Sequence, residues 1–278
     1  MPAPAPARAR RPVALARCLP PCLALAGALT DAHAGGTLLL LDDPPAATTM
    51  SVGLSWRGWP GAPGSARERQ ALLPALDYET PSGLFAATDT GLGWNLAPRL
   101  LAGEAARRWQ FGARLWPQSG RPRREAPPGV DRLGTRLVTQ LFANLQCAPA
   151  LLLQSGLSWG GGRHHDGGQL ELGATSGLPI GDGLLAVSLS ASYADAAQLR
   201  GSFGVGPGEA RASGLPEFQP HAGWLDWSLA LSAEHRFSAQ WSVDGQWLRT
   251  RLVGQALRSP LTQRRDQPAF IVSVRHAF

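Results

Sequence analysis

Alternation constrains this chain more than any other feature. Between residues 221 and 278 the side chains change character at every step. Leu225, Trp227, Leu229, Leu231 and Ala233 form one series, and Asp226, Ser228, Ala230, Ser232 and Glu234 form the other. A period of two marks an extended strand, because successive Cβ atoms point to opposite faces of a sheet. The pattern returns in Trp241, Val243, Gly245 and Trp247 against Ser242, Asp244 and Gln246. It closes the chain with Phe270, Val272, Val274, His276 and Phe278 against Ile271, Ser273, Arg275 and Ala277. Two architectures bury such strands: a soluble sandwich with a dry core, and a transmembrane barrel whose apolar face meets lipid. Here the wet face carries Ser, Ala, Gln, Asp and Gly rather than long charged side chains, and tryptophans stand near strand ends. Both features favour the barrel.

The first 34 residues read as a secretory leader. Arg8, Arg10, Arg11 and Arg17 form a basic segment, residues 19–29 a short apolar one, and Ala32-His33-Ala34 a small-x-small cleavage site. The leader holds four arginines and Asp31, so the whole-chain formal charge of +6 falls to +3 once it is removed. That charge is too small to imply a nucleic-acid partner. Of three cysteines only Cys147 lies beyond the leader, so no internal disulfide is available. No apolar run after the leader is long enough for a membrane helix. Residues 1–34 are therefore expected to be a signal peptide, residues 35–47 an irregular lead, and residues 48–278 an outer-membrane barrel in contact with lipid.

Strands are expected over residues 48–56, 71–78 with Pro74 marking a bulge or an irregular start, 85–94, 108–116, 133–145, a segment ending near Trp159, 169–175, 185–193 and 198–205. With the last three segments this gives an all-β fold, a single antiparallel transmembrane β-barrel of about 12 strands, with about 10 as the alternative. An even count places both ends of the barrel on the periplasmic side. Arg114, Arg136, Asp226, Asp244 and Arg275 fall on the lumen face. One connection disagrees with the count: residues 117–131, with Arg121, Arg123 and Arg124, form a long loop that lands on the periplasmic side. Either the count slips by one hairpin there or the segment is truly periplasmic.

Signatures of chemistry are weak. His164-His165-Asp166 is the best metal candidate, yet adjacent histidines in a glycine-rich turn do not complete a coordination sphere. The glycines from Gly160 to Gly168 lack the Lys-Ser/Thr of a phosphate-binding loop, and no Gly-x-Ser-x-Gly elbow occurs in a strand-turn-helix context. Cys147 would need a histidine beside it in space to act as a nucleophile. No catalytic, cofactor-binding or metal-binding residue is assigned, and the chain is expected not to be an enzyme.

Six short stretches, in order, carry a resemblance. They are Pro60-Gly61-Ala62-Pro63-Gly64-Ser65 leading to Leu73-Pro74-Ala75-Leu76-Asp77-Tyr78; Gly83-Leu84-Phe85; Gly91-Leu92-Gly93-Trp94-Asn95; Phe203-Gly204-Val205 followed by Ser213-Gly214-Leu215 and Phe218; Ser259-Pro260-Leu261; and the ending Arg275-His276-Ala277-Phe278. Together they resemble the MltA-interacting protein (MipA/OmpV) family of outer-membrane barrels, from about Ser51 to Phe278. His276 stands where that family's ending has Tyr, and Ala62 where its first loop usually has an aromatic. The resemblance implies a non-enzymatic scaffold that links a lytic transglycosylase to a peptidoglycan synthase at the outer membrane. The motif positions Gly64, Ser65, Pro74, Gly83, Phe85, Phe203, Gly204, Val205, Ser213, Gly214, Leu215, Ser259, Pro260 and Phe278 are turn makers and strand ends rather than a reaction centre. A small channel is the rival reading, because charged residues on the lumen face would set selectivity.

Overall fold

The computed structural model describes Leu41, residues 45–161 and residues 167–278. The expected signal peptide, residues 35–40 and 42–44 of the lead, and the His164-His165-Asp166 turn fall outside them. Twelve strands close into one antiparallel barrel in which each pairs with its neighbours in sequence and the last returns to the first. They are β1 (Thr49–Pro60), β2 (Glu68–Glu79), β3 (Leu84–Ala87), β4 (Gly91–Asn95), β5 (Trp109–Gln118), β6 (Arg136–Ala148), β7 (Leu151–Gly161), β8 (Gly167–Ile180), β9 (Gly183–Ala194), β10 (Gly223–Arg236), β11 (Trp241–Leu252) and β12 (Asp266–Ala277). Five short helices lie in the connections: α1 (Ala97–Leu100), α2 (Gly103–Arg108), α3 (Ala196–Phe203), α4 (Pro207–Ser213) and α5 (Gly254–Arg258). No helix among the described residues is long and apolar enough to cross a membrane.

The faces follow the alternation. Leu137, Leu141, Leu153, Leu157, Leu170, Leu172, Leu189, Val272 and Val274 point outward and are exposed, while Gln140, Asn144, Gln154, Thr175, Ser192, Ser228 and Ser273 are buried inside. Lipid is the solvent that makes this inversion stable: apolar side chains face hydrocarbon, and backbone donors are consumed within the closed ladder wherever neighbouring strands pair. Register shifts interrupt two ladders, β6–β7 between Gln146 and Ala148 and β9–β10. Between Trp224 and Asp226 the β9–β10 ladder slips, so Leu225 turns inward beside Asp226 and both are buried. Leu225 thereby joins Leu199, Phe203, Leu252 and Ala256 in a cluster inside the barrel mouth.

Connections sort by length between the two ends. Residues 80–83, 149–150, 181–182 and 237–240 join strands at one end, together with the helical 96–108 connection; residues 61–67, 119–135, 195–222 and 253–265 lie at the other. In bacterial barrels short turns face the periplasm and long loops the exterior, and the two ends are named on that rule below.

Three expectations need correction. Residues 85–94 are not one strand but the hairpin β3–β4, which reverses at Thr88-Asp89-Thr90 with Gly91 at φ 84°. Residues 198–205 are not a strand, because Asp195 caps a helix there: its side chain accepts from the Gln198 N–H at 2.7 Å and starts α3. The two errors cancel in the count but not in direction. The strands between them run opposite to the expected sense, and the arginine-rich loop joins the other long loops at the outer end.

Pro74 makes no bulge in the third correction; β1 and β2 pair without a shift through Leu54 and Pro74. Its place follows from the short hairpin. β3 covers β2 only from Asp77 to Glu79, and β4 covers β5 only from Gly112 to Leu115. Leu76 turns its N–H and C=O toward the hairpin, meeting Thr88, so Pro74, two residues on, faces the same side beyond the hairpin's end. On β5, Phe111 turns its carbonyl to Leu96, and Pro117 belongs to the same series. Each uncovered edge thus carries a proline where an N–H would lack a ladder partner.

Candidate functional site

The outer mouth is sealed by loops, and most of the motif residues meet there. Gly64, at φ 79°, packs against the backbone of Thr262, and its carbonyl accepts from the N–H groups of Gln263 and Arg264. Ser65 offers its carbonyl to Gln267 at 3.3 Å. The Ser259 hydroxyl donates to the Phe203 carbonyl at 2.6 Å, beside Pro260. Gly204 caps α3, and Val205 forms an isolated bridge with Phe218. Gly214 ends α4 in the left-handed region, with the Ser213 hydroxyl accepting from the Leu215 N–H. Val130, Val205 and Leu261, with Leu215 and Phe218 against them, make a small dry core above the barrel. Four loops far apart in sequence are therefore locked into one lid.

The arginine-rich loop is part of that lid. Arg69 on β2 pairs with Glu125 at 2.7 Å, and Arg67 donates to the Arg124 carbonyl at 3.1 Å. Arg121 is buried and donates to the Ser202 carbonyl at 3.3 Å. Burial pulls the Arg121 guanidinium below its usual value, and the Glu209 carboxylate works against that pull. Under the lid, Arg136 is held by the Gln118 and Gln198 side-chain oxygens at 2.7 and 2.8 Å.

Other motif positions lie elsewhere. Pro74 is on the wall. Gly83, at φ 84°, sits so close to the Asn95 carbonyl that a Cβ would come within 2.0 Å of it, which only glycine tolerates. Phe85 points inward against Phe142, and Leu41 packs on the pair while its carbonyl accepts from Gln110 at 3.0 Å. Phe278 is at the periplasmic rim, 78% exposed, its N–H bonded to the Met50 carbonyl. There it edges His276, which in turn edges Trp241, each at 4.8 Å between rings, an aromatic girdle of the kind that anchors barrels at the interface.

Charged groups line the lumen at two levels. Arg275 reaches Asp89 at 3.1 Å, Asp244 at 3.2 Å and Asp77 at 3.5 Å, one guanidinium among three carboxylates from the β3–β4 turn, β11 and β2. Arg114 is buried, donates to Gln140 at 2.7 Å and to the Thr90 carbonyl at 3.2 Å, and lies 4.4 Å over the Trp116 ring. Farther round the wall, Glu171, Ser192 and Asp226 are direct cross-strand neighbours on β8, β9 and β10. The periplasmic end opens as a cavity of about 580 Å³ whose lining includes Asp77, Glu79, Glu234, Asp244, Arg236 and Arg275.

The five expected lumen residues all face inward, and Arg114, Arg136 and Asp226 are buried outright. Asp89, Glu171, Ser192 and Gln198 were not singled out by sequence reasoning. Glu171 and Ser192 lie within the expected strands 169–175 and 185–193, and the register that sets them side by side is not encoded in the period of two. Among the described residues no group of three or more His, Cys, Asp or Glu is arranged to hold a metal.

No functionally curated protein matches the chain. Among solved structures it is similar to an outer membrane channel from Pseudomonas putida F1 at 11% identity, covering 87% of this chain and 100% of that one with a TM-score of 0.45. It is also similar to Salmonella typhi OmpF at 8% identity, covering 83% and 97% with a TM-score of 0.37, and to the Escherichia coli outer membrane protease OmpT at 10%, covering 86% and 98% with a TM-score of 0.31. Likeness this distant carries no argument about activity. The sequence itself is decisive: residues 52–278 match the family described as MltA-interacting protein MipA, which takes in nearly the whole barrel and agrees with the span of the motif resemblance. This chain belongs to the MltA-interacting protein MipA family.

Proposed function

We propose that this barrel is a non-enzymatic scaffold that holds a lytic transglycosylase and a peptidoglycan synthase to the outer membrane from its periplasmic end. The family description names an interaction with MltA. The observation that carries the reading is the asymmetry of the two ends. At the outer end the loops are spent on one another, with Leu199, Phe203, Val205, Leu252 and Ala256 buried at 0–2% exposure beneath them. At the periplasmic end the 96–108 connection, which also carries Arg99, Arg107 and Arg108, leaves Leu100 67% exposed, and the acidic cavity opens at the same end. An exposed apolar side chain in an arginine-rich connection suits docking of a folded partner.

Photo-crosslinking in intact cells tests this directly. A photoreactive side chain at Leu100 or Arg107 is expected to capture a murein hydrolase or synthase, and one at Arg123 in the lid is not. Capture from Arg123 alone, or none from either periplasmic position, would remove the scaffold reading. A small-solute channel is the second reading, favoured by the polar lumen and its 580 Å³ vestibule. The sealed mouth opposes it, and steady conductance of the purified protein in planar bilayers would establish it.

A further inference from the structure

The barrel wall is incomplete in its outer half. Above the Thr88-Asp89-Thr90 turn no strand among the described residues stands between β2 and β5, because β3 pairs β2 only from Asp77 onward and β4 pairs β5 only as far as Leu115. The opening is framed by residues 70–75 on one side, by residues 116–118 on the other, and at the top by the turn of residues 122–126. Even-numbered residues of β2 turn their backbone groups to this side, as Leu76 and Tyr78 do toward the hairpin. The N–H groups of Gln70 and Leu72 therefore open onto the window, and at membrane depth such donors need an acceptor. The surface round it is apolar: Leu72 is 65% exposed on β2, Leu92 is 53% exposed on β4, and Leu115, paired with Leu92, is exposed beside it.

At the head of the window the charge is one-sided. Arg67, just before β2, donates to the Arg124 carbonyl at 3.1 Å, so the two residues meet there. Arg69 and Arg124 share the carboxylate of Glu125, at 2.7 and 3.8 Å. Glu68, the next acid along, is taken by Arg264 at 2.7 Å. Arg123 is exposed and makes no ion pair among the described residues. Four arginines thus meet one carboxylate, and Arg67, Arg123 and Arg124 are exposed. Phosphate is the group that matches such a cluster, because it accepts bidentate hydrogen bonds from guanidinium. A strand rises about 3.4 Å per residue, so the Gln70 and Leu72 N–H groups lie about 10 and 17 Å along the chain from Arg67. Cations, then free amide donors, then apolar side chains follow one another from the rim into the membrane.

We propose that this window seats one phosphorylated, acylated glycolipid of the outer leaflet, of the lipid A class. Its phosphate rests on Arg67, Arg123 and Arg124, an ester or amide carbonyl accepts from the Gln70 or Leu72 N–H, and an acyl chain takes the place of the missing strands against Leu72, Leu92 and Leu115. The seat is on the wall at the outer end and is independent of any partner at the periplasmic end.

Native mass spectrometry of the intact barrel in detergent tests it, with purified bisphosphorylated lipid A as the probe. Wild type is expected to retain one lipid A saturably, and to hold the monophosphorylated form about tenfold less tightly, the factor that one charge-assisted contact is worth. Arg123→Gln combined with Arg124→Gln should weaken binding of the bisphosphorylated form by about tenfold or more. Arg200→Gln, which changes an exposed arginine of α3 at the same end of the barrel, should leave it unchanged. The fully deacylated sugar phosphate should compete poorly. Should the double variant fail to assemble, the two lipid A forms and the deacylated competitor decide the matter on wild-type protein. The proposal is overturned if no lipid A is retained, if phosphatidylethanolamine or monophosphorylated lipid A is held equally well, or if the double variant binds as wild type does. Equal loss in the Arg200→Gln protein also overturns it, since that marks unspecific charge, and so does a deacylated competitor that matches the lipid, since the window then takes no part.

Discussion

Two arcs of the wall solve the same problem in different ways. From β6 round to β2 the strands are 11 to 14 residues long and each is paired along most of its length. Between β2 and β5 the wall is completed by strands of four and five residues that stop part-way up. In the long arc the ladder alone satisfies the backbone, and outward Leu and Val residues do the rest. The short arc has too few ladder bonds, so side chains take over. Arg275 from β12 and Arg114 from the adjoining β5 reach the turn Thr88-Asp89-Thr90, Phe85 packs on Phe142, and prolines end the free edges. A barrel wall can therefore be held by backbone or by inward side chains, and the two arcs should fail to different mutations.

The largest effect is expected in the long arc. Leu157 on β7 is paired to Leu141 on one side and Leu170 on the other, and its side chain faces lipid. Leu157→Pro removes one ladder donor and forces the ring against a paired strand, a loss of about 3 kcal/mol or more. Inside a membrane the carbonyl that accepted from it cannot turn to water instead. Folded, heat-modifiable protein should disappear from outer membranes on semi-native gels. Assembly at wild-type levels would show that the ladder is not what holds this arc.

Arg275→Met comes next and acts on the short arc. It strips Asp77, Asp89 and Asp244 of their common cation, for an expected cost of about 3 kcal/mol, the low end for breaking a buried ion pair because Arg275 keeps some exposure. Hydrogen exchange should accelerate in residues 84–95 before it changes in β6 to β9. Uniform acceleration round the barrel would mean that the hairpin is not held separately.

How much of this was legible in the sequence follows the same division. Strand faces could be read because period two survives in any register: Asp226, Asp244, Arg136 and Arg275 were placed inside without knowledge of their neighbours. The short hairpin was missed because Ala86 and Ala87 continue an apolar run through Thr88-Asp89-Thr90, although Gly91 was available as a turn signal. In α3, Leu199 and Phe203 mimic strand alternation, and the overlooked sign was Asp195 followed three residues later by Gln198, a helix-start spacing. Motif residues of the lid were named in their order along the chain, but their convergence depends on loop conformations that no periodicity encodes. The Glu171–Ser192–Asp226 row depends on inter-strand register, which is fixed by turn lengths acting together.

The smallest effect is the most telling about the short arc. Proline inside a long-arc strand is disruptive, yet Pro74 sits at mid-length of β2 with β1 fully paired beside it. If it is tolerated there because its open side has no strand to bond, then Pro74→Ala should cost about 1 kcal/mol, the low end for leaving one backbone donor without a partner. The returned N–H would find no acceptor on that side, since β3 begins pairing only at Asp77. Urea unfolding in detergent micelles, followed by tryptophan fluorescence, measures the difference against wild type. A loss well above 1 kcal/mol would mean that the fixed φ of Pro74 shapes the wall. A gain of similar size would mean that a lid segment stands within reach of that edge, and the gap would then be closed by backbone after all.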